Sequence, residues 1–523
     1  MREISVEDSS PARPRKAAWL LFLALLLLYA STGRYFIDNI DGETMYLTTR
    51  AITQGRLWIV PEMTEKLNVW PGLGGHNYSV HSVLMSVAGL PLYYVGLAVT
   101  KLMPRLPEGL VLRAFWLLGP MLYTAMTGAW LLLLLWRMGF GLRRSMAVAV
   151  VYGAATMAFP YARYSFSEPL SALLTLGATW FAWRVWEASE DQSAKHKQAA
   201  AAWCGAFLGM ALLARHANAV AVPLYMLFLL LAGWRQRDRA MWNRIAPALV
   251  AAATFAIGLV AWMWYNYARF GHILMTGSET QDFVQMQKPN ALRAAAFLIF
   301  SPGKGLFFYC PVMIAATAGF VWLYRRRPQF TLLLGSVVIV HTLFYAAWPY
   351  YLGDWCWGPR FLVDLLPLWI IPLAAVPLTR RSKLVVAGLV GLSLAVQLLA
   401  VGVFYMRYFD RVVEEHGHVN WVYQSPERTP LLGALQTARE LRWSRLDLGQ
   451  VMAGAARPGE GLKTELRTTL DIWPAYAWRF GLPWIVWLVW GLQMAVVVWL
   501  LGRLNAITRQ PCTENGMVAS STL

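Results

Sequence analysis

Long apolar stretches alternate with short polar segments along almost the whole chain. The first covers residues 17–32 and reads AAWLLFLALLLLYAST. A helix needs about 17 to 25 apolar residues to cross a bilayer, and stretches near that length recur. The pattern predicts an all-α polytopic membrane protein with about 12–13 transmembrane helices. We place them near residues 17–33, 80–100, 112–136, 145–160, 169–187, 198–214, 218–234, 245–266, 306–324, 329–348, 360–378, 382–406 and 480–502.

The composition agrees with this class. Of 523 residues, 58% are hydrophobic and 14% are charged, whereas a soluble domain carries about a quarter charged residues. The net charge of +18 does not indicate a nucleic-acid partner, because the basic residues form short clusters between apolar stretches. Such clusters set topology and attract anionic membrane lipid. They are Arg137, Arg143 and Arg144; Arg235, Arg237, Arg239 and Arg244; Arg325, Arg326 and Arg327; and Arg380, Arg381 and Lys383.

Charge placement also predicts which loops face outward. Arg13, Arg15 and Lys16 precede the first stretch, and Asp38, Asp41 and Glu43 follow it. By the positive-inside rule the acidic cluster lies on the outer face, together with residues 161–169, 267–305, 350–360 and 407–478. An odd number of crossings must then separate Asp41 from Arg137, but two stretches are visible. Either 80–100 or 112–136 is re-entrant or shallow, or the turn at 137–144 violates the rule.

The acidic cluster opens a segment that reads IDGETMYLTTRAITQGRLW over residues 40–58. Its spacing predicts a helix from about Glu43, with Tyr46, Leu47 and Ala51 on a face that suits a bilayer surface. Asp41 fits the N-cap of this helix, and Gly55 fits its end. Asp41 equally fits a general base that takes the proton from an attacking hydroxyl, an effect typically worth about 10²–10⁴ in rate.

One carboxylate suffices for sugar transfer when the leaving group is a phosphate. Glycosidases need a second carboxyl group as an acid, whereas a polyprenyl phosphate leaves as a stabilised anion that needs cations or a metal beside it. Two outward loops offer cations: FSPGKGLFFYCP contains Lys304 and WCWGPRF contains Arg360. Both residues also fit interface anchors, which Lys, Arg and Trp commonly provide.

Further polar residues lie at the outer ends of predicted spans. Glu168 in YARYSFSEPL, preceded by Arg163, fits either a helix-start acid or a ligand of the acceptor or of a metal. His81 in GGHNYSVHSVL either approaches a phosphate or caps a span. Arg215 and His216 lie in a short hairpin that also fits a simple polar turn.

Together these motifs resemble the bacterial branch of the GT-C superfamily, polytopic glycosyltransferases that use polyprenyl-phosphate sugars. Its members include the protein O-mannosyltransferases and the lipid A aminoarabinose transferase. The resemblance covers about the first three quarters of the chain. Its pieces are IDGETMYLTTRAI, GGHNYSVHSVLMSVAGLPLYYVG, FPYARYSFSEPLSALL, FLGMALLARHANAVAVPLYML, WYNYARFGHILMTG, FSPGKGLFFYCPVM and GDWCWGPRFLVDLLPL.

The resemblance implies a GT-C-type bundle with amphipathic helices in the first outer loop. The family's first-loop acidic motif falls on Asp41 and Glu43, with Asp41 the better match to the catalytic aspartate, and its second acidic position falls on Glu168. Relatives often have adjacent Asp and Glu, where this chain has an intervening Gly42. They also often carry a Lys and paired prolines where residues 78–82 read YSVHS.

The expected domains are a transmembrane catalytic module over 1–406, with a first outer loop over about 34–79, then a periplasmic loop region over 407–478, a last transmembrane helix over 479–503 and a polar tail over 504–523. Within the periplasmic loop region, residues 437–448 are predicted to form a helix. This region is assigned to acceptor recognition or to covering the active site.

The sequence therefore predicts a multi-pass glycosyltransferase of the bacterial inner membrane, with its active site facing the periplasm. It would move a sugar from a polyprenyl-phosphate donor to a hydroxyl of a glycan, lipid or protein acceptor. The expected site residues are Asp41 and Glu43 for catalysis, Lys304, Arg360 and His81 for the donor phosphate, and Glu168 and Arg163 for the acceptor or for a possible divalent metal, with Glu168 as the candidate ligand.

The alternative function is a non-catalytic flippase or transporter of lipid-linked sugars. Carriers often bury ionisable residues in mid-membrane and show internal repeats. Here the main candidates, Asp364 and His341, fall near predicted ends of spans, and no clear repeat is visible. Both observations favour the enzyme.

Overall fold

The computed structural model describes residues 12–60, 67–188, 194–235, 241–278, 289–353, 355–417, 428–446 and 465–509. These residues are mostly helical, with almost no strands, which confirms the all-α multi-pass class. Eight helices among them have the length and composition to cross a membrane. They are Ala12–Thr32, Glu108–Arg137, Ala194–Ala214, His216–Trp234, Met241–Phe270, Pro328–Ala346, Arg380–Gly402 and Ile485–Arg509.

Two of these spans have an internal break. Glu108–Arg137 bends at Leu117 into Glu108–Trp116 and Leu118–Arg137, and His216–Trp234 begins with a 3₁₀ turn before Val222–Trp234. The remaining helices are Ile40–Thr53, Leu84–Ala88, Leu90–Leu102, Leu142–Ala155, Ala158–Tyr161, Glu168–Glu187, Ala291–Phe300, Leu306–Tyr309, Val312–Arg326, Leu366–Trp369, Met406–His416, Pro430–Arg439 and Trp473–Arg479. The 3₁₀ turns are Leu73–Gly75, His216–Ala221, Arg360–Leu365 and Ile371–Ala375.

Among the described residues, the loop that follows the first span contains one α-helix, Ile40–Thr53, called here the first-loop helix. Several amphipathic helices were expected in this loop, but it also carries a small antiparallel sheet. Its strands are β1 (Trp58–Ile59), β2 (Val69–Pro71) and β3 (Asn77–Ser79), with β3 in the middle. Strands of two or three residues are too short to show a period in the sequence.

The first-loop helix packs against protein on the face that we expected to meet the bilayer. Tyr46, Leu47 and Ala51 are all buried. The ring of Tyr46 contacts those of Tyr93 and Trp116, at centroid distances of 6.0 and 6.2 Å. The helix is therefore fixed in the fold along its apolar side.

The predicted stretch over 80–100 is too short to span. It forms Leu84–Ala88 and then Leu90–Leu102, a helix of 13 residues and thus about 20 Å long, against a hydrocarbon core of about 30 Å. Glu108–Arg137 has 30 residues and is long enough. One full-length span therefore separates Asp41 from Arg137, as the charge rule requires.

The stretch over 360–378 is not a regular transmembrane helix. It forms Arg360–Leu365, Leu366–Trp369 and Ile371–Ala375, and residues 362–375 are all buried. Pro367 and Pro372 fall at the starts of the last two turns. Because proline lacks the backbone N–H that a helix interior needs, the segment stays irregular, and the surrounding helices shield it from lipid.

The first and last helices close the bundle side by side and run antiparallel. The Arg13 guanidinium donates to the Ile507 carbonyl at 2.7 Å, and the Trp490 indole donates to the Ser31 carbonyl at 3.1 Å. The last helix continues to Arg509, so it includes the first residues of the predicted polar tail. Residues 510–523 of that tail lie outside the described residues.

The segment over 407–478 also differs from expectation. One of its helices is Pro430–Arg439, whereas a helix was predicted over 437–448. Residues 440–446 are not helical, and 447–448 lie outside the described residues. Thr429 caps the observed helix by accepting the Leu432 N–H, which places its start seven residues before the predicted one.

The basic clusters meet at one end of the bundle. Arg137 pairs with Glu187 at 2.6 Å, Arg144 donates to the Ala374 carbonyl at 3.1 Å, and Arg235 donates to the Trp186 carbonyl at 3.4 Å. Glu187 ends the helix that Glu168 begins. The polar residues around Glu168 therefore lie at the opposite end of the bundle.

Candidate active site

A cavity of about 460 Å³ lies at the end of the bundle away from the basic clusters. Its walls come from the first-loop helix, the turn after β3, the start of Glu168–Glu187, the turn before Val222, and residues 344–361. The ionisable side chains that line it are Asp41, His81, Glu168, Arg215, His216, Tyr345, Tyr350 and Arg360.

The first-loop helix is capped by Asn39. The Asn39 side-chain oxygen accepts the Gly42 N–H at 2.7 Å, and its amide donates to Ser165 Oγ at 2.7 Å. The prediction that Asp41 is the N-cap was wrong, because Asn39 takes that role and lies two residues earlier. The Asp41 carboxylate, in the first turn, instead reaches the cavity.

Gly42 lets the first-loop helix approach the loop before Glu168. A Cβ atom at position 42 would lie 1.8 Å from Ser165 Oγ and 2.4 Å from Ser165 Cβ. Real atoms do not approach that closely, so any side chain would push the helix away from Ser165. This contact gives a physical reason for the glycine that separates the two acids.

Asp41 is held by three polar neighbours. Its carboxylate accepts hydrogen bonds from Arg360 Nη1 at 2.7 Å and Asn68 Nδ2 at 2.5 Å, and His81 Nε2 lies 3.6 Å away. Burial acts to raise the pKa of Asp41, but the Arg360 guanidinium and the other partners outweigh it, so this pKa lies below its usual value. Asp41 is therefore ionised at neutral pH, and 19% of its side chain remains exposed.

His81 is neutral at pH 7. Burial lowers its pKa from the usual value. The nearby guanidinium groups also lower this pKa, and together with burial they outweigh the Asp41 carboxylate, which acts to raise it. The ring therefore offers the cavity a hydrogen-bond donor or acceptor and not a cation. The structure places His81 at the cavity, beside the carboxylate of Asp41.

Glu168 ties two arginines to the cavity wall. Its Oε1 atom lies 2.6 Å from Arg215 Nη1 and 3.5 Å from Arg360 Nε. Glu168 is 2% exposed, and its Oε2 atom has no hydrogen-bond partner among the described residues. One buried acceptor is thus left at the cavity for a donor group of a ligand.

The surroundings of Glu168 do not fit a divalent metal. Among the described residues, no three His, Cys, Asp or Glu side chains are grouped so that they could hold a metal ion. The nearest charged groups to Glu168 are two guanidinium groups, which would repel a cation at this carboxylate. The possible role of Glu168 as a metal ligand therefore finds no support in the geometry.

Glu43 lies outside the cavity. Residues two apart on a helix point to different sides, so Glu43 faces away from Asp41. It accepts hydrogen bonds from Arg113 Nε at 3.0 Å and from Arg113 Nη2. The same guanidinium lies 4.6 Å from the Tyr46 ring centroid. These contacts fix the helix to Glu108–Trp116 and give Glu43 a structural position.

Arg163 also lies away from the cavity. It is 1% exposed and donates to the Val401 carbonyl at 3.0 Å and to the Asp471 carbonyl. Its Nη2 atom lies 3.4 Å from the Asp471 carboxylate. Its contacts join the helix Arg380–Gly402 to the segment around Asp471, and they leave it no contact with an acceptor at the cavity.

Lys304 is fully buried behind the cavity wall. Its ammonium donates to the Cys356 carbonyl at 2.8 Å and contacts Cys356 Sγ at 3.0 Å. Lys304 does not line the cavity, so the expectation that it binds the donor phosphate is not supported by its position. Lys304 instead holds the backbone at Cys356, which lies four residues before Arg360.

Two residues of the site escaped the sequence reasoning. Arg215 looked like part of a polar turn, but its guanidinium lines the cavity and lies 5.4 Å from the ring centroids of both Tyr345 and Phe361. No sequence pattern marked Asn68 as a site residue, because its contact with Asp41 depends on the small sheet. The motif FLGMALLARHANAVAVPLYML already contained Arg215, so an arginine between two apolar stretches was the available clue.

No protein-family model and no curated protein matches the sequence. Among the solved structures that are similar are two of ArnT from Cupriavidus metallidurans, one apo and one bound to undecaprenyl phosphate. Both have 15% identity, and each match covers 94% of this chain and 76% of the ArnT chain, with TM-scores of 0.43 and 0.46.

A third similar structure is the archaeal oligosaccharyltransferase AglB from Archaeoglobus fulgidus, in complex with an inhibitory peptide and a dolichol-phosphate. It has 11% identity and a TM-score of 0.41, and the match covers 88% of this chain and 60% of the AglB chain. ArnT and AglB are GT-C members, the superfamily that the sequence motifs resemble. At these TM-scores the likeness assigns no residue, substrate or acceptor to this chain.

Proposed function

We propose that this protein is an integral membrane glycosyltransferase that moves a sugar from a polyprenyl-phosphate donor to an acceptor hydroxyl. The observation that carries the proposal is the pairing of one ionised carboxylate, Asp41, with the guanidinium of Arg360 in a cavity that Arg215 also lines. A base and a phosphate-binding pair of arginines are the two components that this reaction needs.

The proposed face of the membrane is the outer, periplasmic one. The basic clusters lie at the opposite end of the bundle from Asp41, and cytoplasmic loops carry the excess of Lys and Arg. The cavity would then open at the outer leaflet, where a polyprenyl chain can lie along the apolar helix faces while its phosphate and sugar enter the cavity.

The cavity has a suitable size and lining. About 460 Å³ is within the usual range for small-molecule sites. Aromatic rings also line it, from Phe344, Tyr345, Trp348, Tyr350 and Phe361. Rings of this kind can pack against the apolar face of a sugar, while the ionised groups of the cavity orient its phosphate and hydroxyl groups.

In the proposed reaction the acceptor oxygen attacks the anomeric carbon of the donor sugar. Asp41 takes the hydroxyl proton as the new C–O bond forms, and the bond between the anomeric carbon and the phosphate oxygen breaks. The electron pair of that bond leaves with the polyprenyl phosphate, whose charge is held by Arg360 and Arg215. Arginine suits this duty because its planar fork binds phosphate oxygens in pairs.

Donor binding would also change the state of Asp41. In the ligand-free site the Arg360 guanidinium pairs with Asp41 at 2.7 Å. A donor phosphate competes for the same guanidinium and brings its own negative charge. Both effects raise the pKa of Asp41, so the carboxylate becomes a stronger base only when the donor is present.

Glu168 would keep both arginines in place and use its second oxygen on the substrates. Its Oε1 atom contacts the two guanidinium groups, and its partnerless Oε2 atom can accept a hydrogen bond from a sugar or acceptor hydroxyl. Lys304 would support Arg360 indirectly, through the Cys356 carbonyl. Glu43 and Arg163 take no part in the proposed chemistry.

The test uses purified protein in lipid nanodiscs, a panel of radiolabelled polyprenyl-phosphate sugars and a crude envelope extract as acceptor. We expect label to move to the extract with the wild type and with Glu43→Gln, whereas Asp41→Asn is slower by about 10² or more. Glu43→Gln is the matched control, because it alters a carboxylate of the same helix outside the cavity. Movement of intact lipid-linked sugar across the bilayer without transfer would instead establish the flippase.

A further inference from the structure

A second cavity, of about 450 Å³, lies at the other end of three helices that line the first. Glu168–Glu187 contributes Glu168 to the candidate active site and Glu187 to this cavity. His216–Trp234 and Pro328–Ala346 likewise line the active site with one end and the second cavity with the other. Helices of about 20 residues are roughly 30 Å long, so the two cavities lie in opposite leaflets.

The second cavity is strongly basic. Arg235, Arg326 and Arg327 line it, and all three are exposed. The acidic residue among its lining residues is Glu187, which pairs with Arg137 at 2.6 Å. Because that pair neutralises Glu187, the three guanidinium groups give the cavity a net positive charge.

Two tryptophans position these arginines. The Arg235 guanidinium lies 4.6 Å from the Trp186 ring centroid, and the Arg327 guanidinium lies 5.6 Å from that of Trp183. Stacking of this kind holds an arginine while leaving its N–H groups available to a ligand. Tryptophan is also enriched at the boundary between hydrocarbon and headgroups, which is the depth expected for helix ends.

Trp183 supplies an independent indication of a ligand. It is 3% exposed and lines the cavity, and its indole N–H has no hydrogen-bond partner among the described residues. A buried donor without a partner costs free energy. An anionic oxygen bound between the arginines would satisfy it.

We propose that this cavity binds the phosphate headgroup of an anionic membrane lipid in the leaflet opposite the candidate active site. Arginine forks bind phosphate oxygens in pairs, and basic pockets between transmembrane helices are suited to anionic headgroups. The tryptophans and the membrane depth favour a lipid phosphate over a soluble one. The site shares no residue with the Asp41 cavity, so it stands whatever reaction occurs there.

The test measures lipid retention by the full-length protein. Wild type and variants are purified with radiolabelled phosphatidylglycerol, exchanged into phosphatidylcholine nanodiscs and counted for label per protein. Arg235→Gln/Arg327→Gln removes two cations of the cavity, Trp183→Phe removes the indole N–H and keeps an aromatic ring, and Arg325→Gln is the matched control. Arg325 is an exposed neighbour of the same cluster that does not line the cavity.

We expect each cavity arginine to contribute about fivefold to retention, since a basic residue near a membrane surface has an effect of that size. Trp183→Phe should lose less label than the double arginine variant, and Arg325→Gln should retain as much label as the wild type. Equal retention by all four proteins would overturn the proposal. Complete displacement of the label from the wild type by millimolar inorganic phosphate would also overturn it, because the site would then bind a soluble anion.

Discussion

The central contact at the scale of single residues is the ion pair between Asp41 and Arg360. Arg360 Nη1 lies 2.7 Å from the Asp41 carboxylate, and Arg360 Nε lies 3.5 Å from Glu168. Arg360 also lies against the rings of Phe166 and Phe361, at 4.7 and 4.9 Å from their centroids. The Arg360 guanidinium thereby contacts both the proposed base, Asp41, and the buried carboxylate of Glu168, and it lies where the donor phosphate is proposed to bind.

Removal of Arg360 should shift the pH profile of transfer. In the free enzyme the Arg360 guanidinium is the largest influence that lowers the pKa of Asp41, and burial opposes it. In Arg360→Gln the effect of burial, which raises the pKa of Asp41, is no longer countered by the guanidinium. The pKa of Asp41 therefore rises, and a larger fraction of Asp41 is protonated at mildly acidic pH. We expect the acidic limb of kcat/KM, which reports the free enzyme, to move to higher pH.

The measurement is the pH dependence of kcat/KM for both proteins, with Arg113→Gln as the control. Arg113 is a comparably placed arginine that pairs with Glu43 on the other side of the same helix. Its removal should leave the acidic limb unchanged. An acidic limb at the same pH in Arg360→Gln and wild type would show that Arg360 does not control Asp41.

Residue types alone did not separate site residues from structural ones. Glu43, Lys304 and Arg163 have the same chemistry as Asp41 and Arg360, but their partners are 70, 52 and 308 residues away in the chain. Only the fold brings those partners together. Asp41, His81, Glu168 and Arg360 each stand near an end of an apolar stretch of the sequence, and the fold gathers those ends at one cavity.

At the scale of elements, the first-loop helix depends on the glycine beside Asp41. Gly42→Ala places a Cβ atom 1.8 Å from Ser165 Oγ, so the helix must move away from that loop. Overpacking of this kind costs about 1–3 kcal/mol, and the displaced Asp41 should lose its contacts with Arg360 and Asn68. We expect slower transfer by a protein that still folds, measured per folded molecule in nanodiscs.

A second substitution makes this prediction specific. Ser165→Gly removes the two nearest atoms that the new methyl group meets, although it leaves Asn39 Oδ1 at 2.9 Å and removes the acceptor of the Asn39 amide. The pair Gly42→Ala/Ser165→Gly should therefore recover part of the rate. Full activity of Gly42→Ala alone would contradict the account of how the helix places Asp41.

The element boundaries show where sequence patterns were sufficient. Hydropathy predicted the existence of the long spans because about 20 apolar residues admit few other structures. It did not predict the break-up of residues 360–378, because a segment shielded by protein and interrupted by prolines has the same composition as a span. The N-cap was misplaced because Asn and Asp are almost equally good caps, and the contact of Asn39 with Ser165 decided between them.

At the scale of the whole molecule, buried charges join the helical bundle to the segment around Asp471. Arg34 and Arg163 lie 3.9 and 3.4 Å from the Asp471 carboxylate, and the Tyr476 hydroxyl donates to it at 2.7 Å. All four residues are buried. This network lies behind the loop that places Ser165, so it supports the active-site end of the molecule without touching the cavity.

Loss of Arg163 should therefore reduce stability and leave donor binding unchanged. Arg163→Met leaves the buried Asp471 carboxylate with one arginine fewer, and breaking a buried pair typically costs about 3–5 kcal/mol. Arg163→Met/Asp471→Asn should recover part of the loss, because it removes the remaining charge. The checks are the thermal unfolding midpoint and the donor Kd. A weaker donor Kd with an unchanged midpoint would place Arg163 in the binding site instead.

As the proposed base and the proposed ligand of the donor phosphate, Asp41 and Arg360 act at different steps, and both steps can be measured on the same proteins. Donor Kd and single-turnover transfer are determined for wild type, Asp41→Asn and Arg360→Gln in nanodiscs. Asp41→Asn releases Arg360 from its carboxylate partner, so we predict donor binding at least as tight as wild type with transfer slower by about 10² or more. Arg360→Gln should bind the donor more weakly. Transfer by Asp41→Asn at the wild-type rate, or weaker donor binding by Asp41→Asn than by Arg360→Gln, would contradict the account.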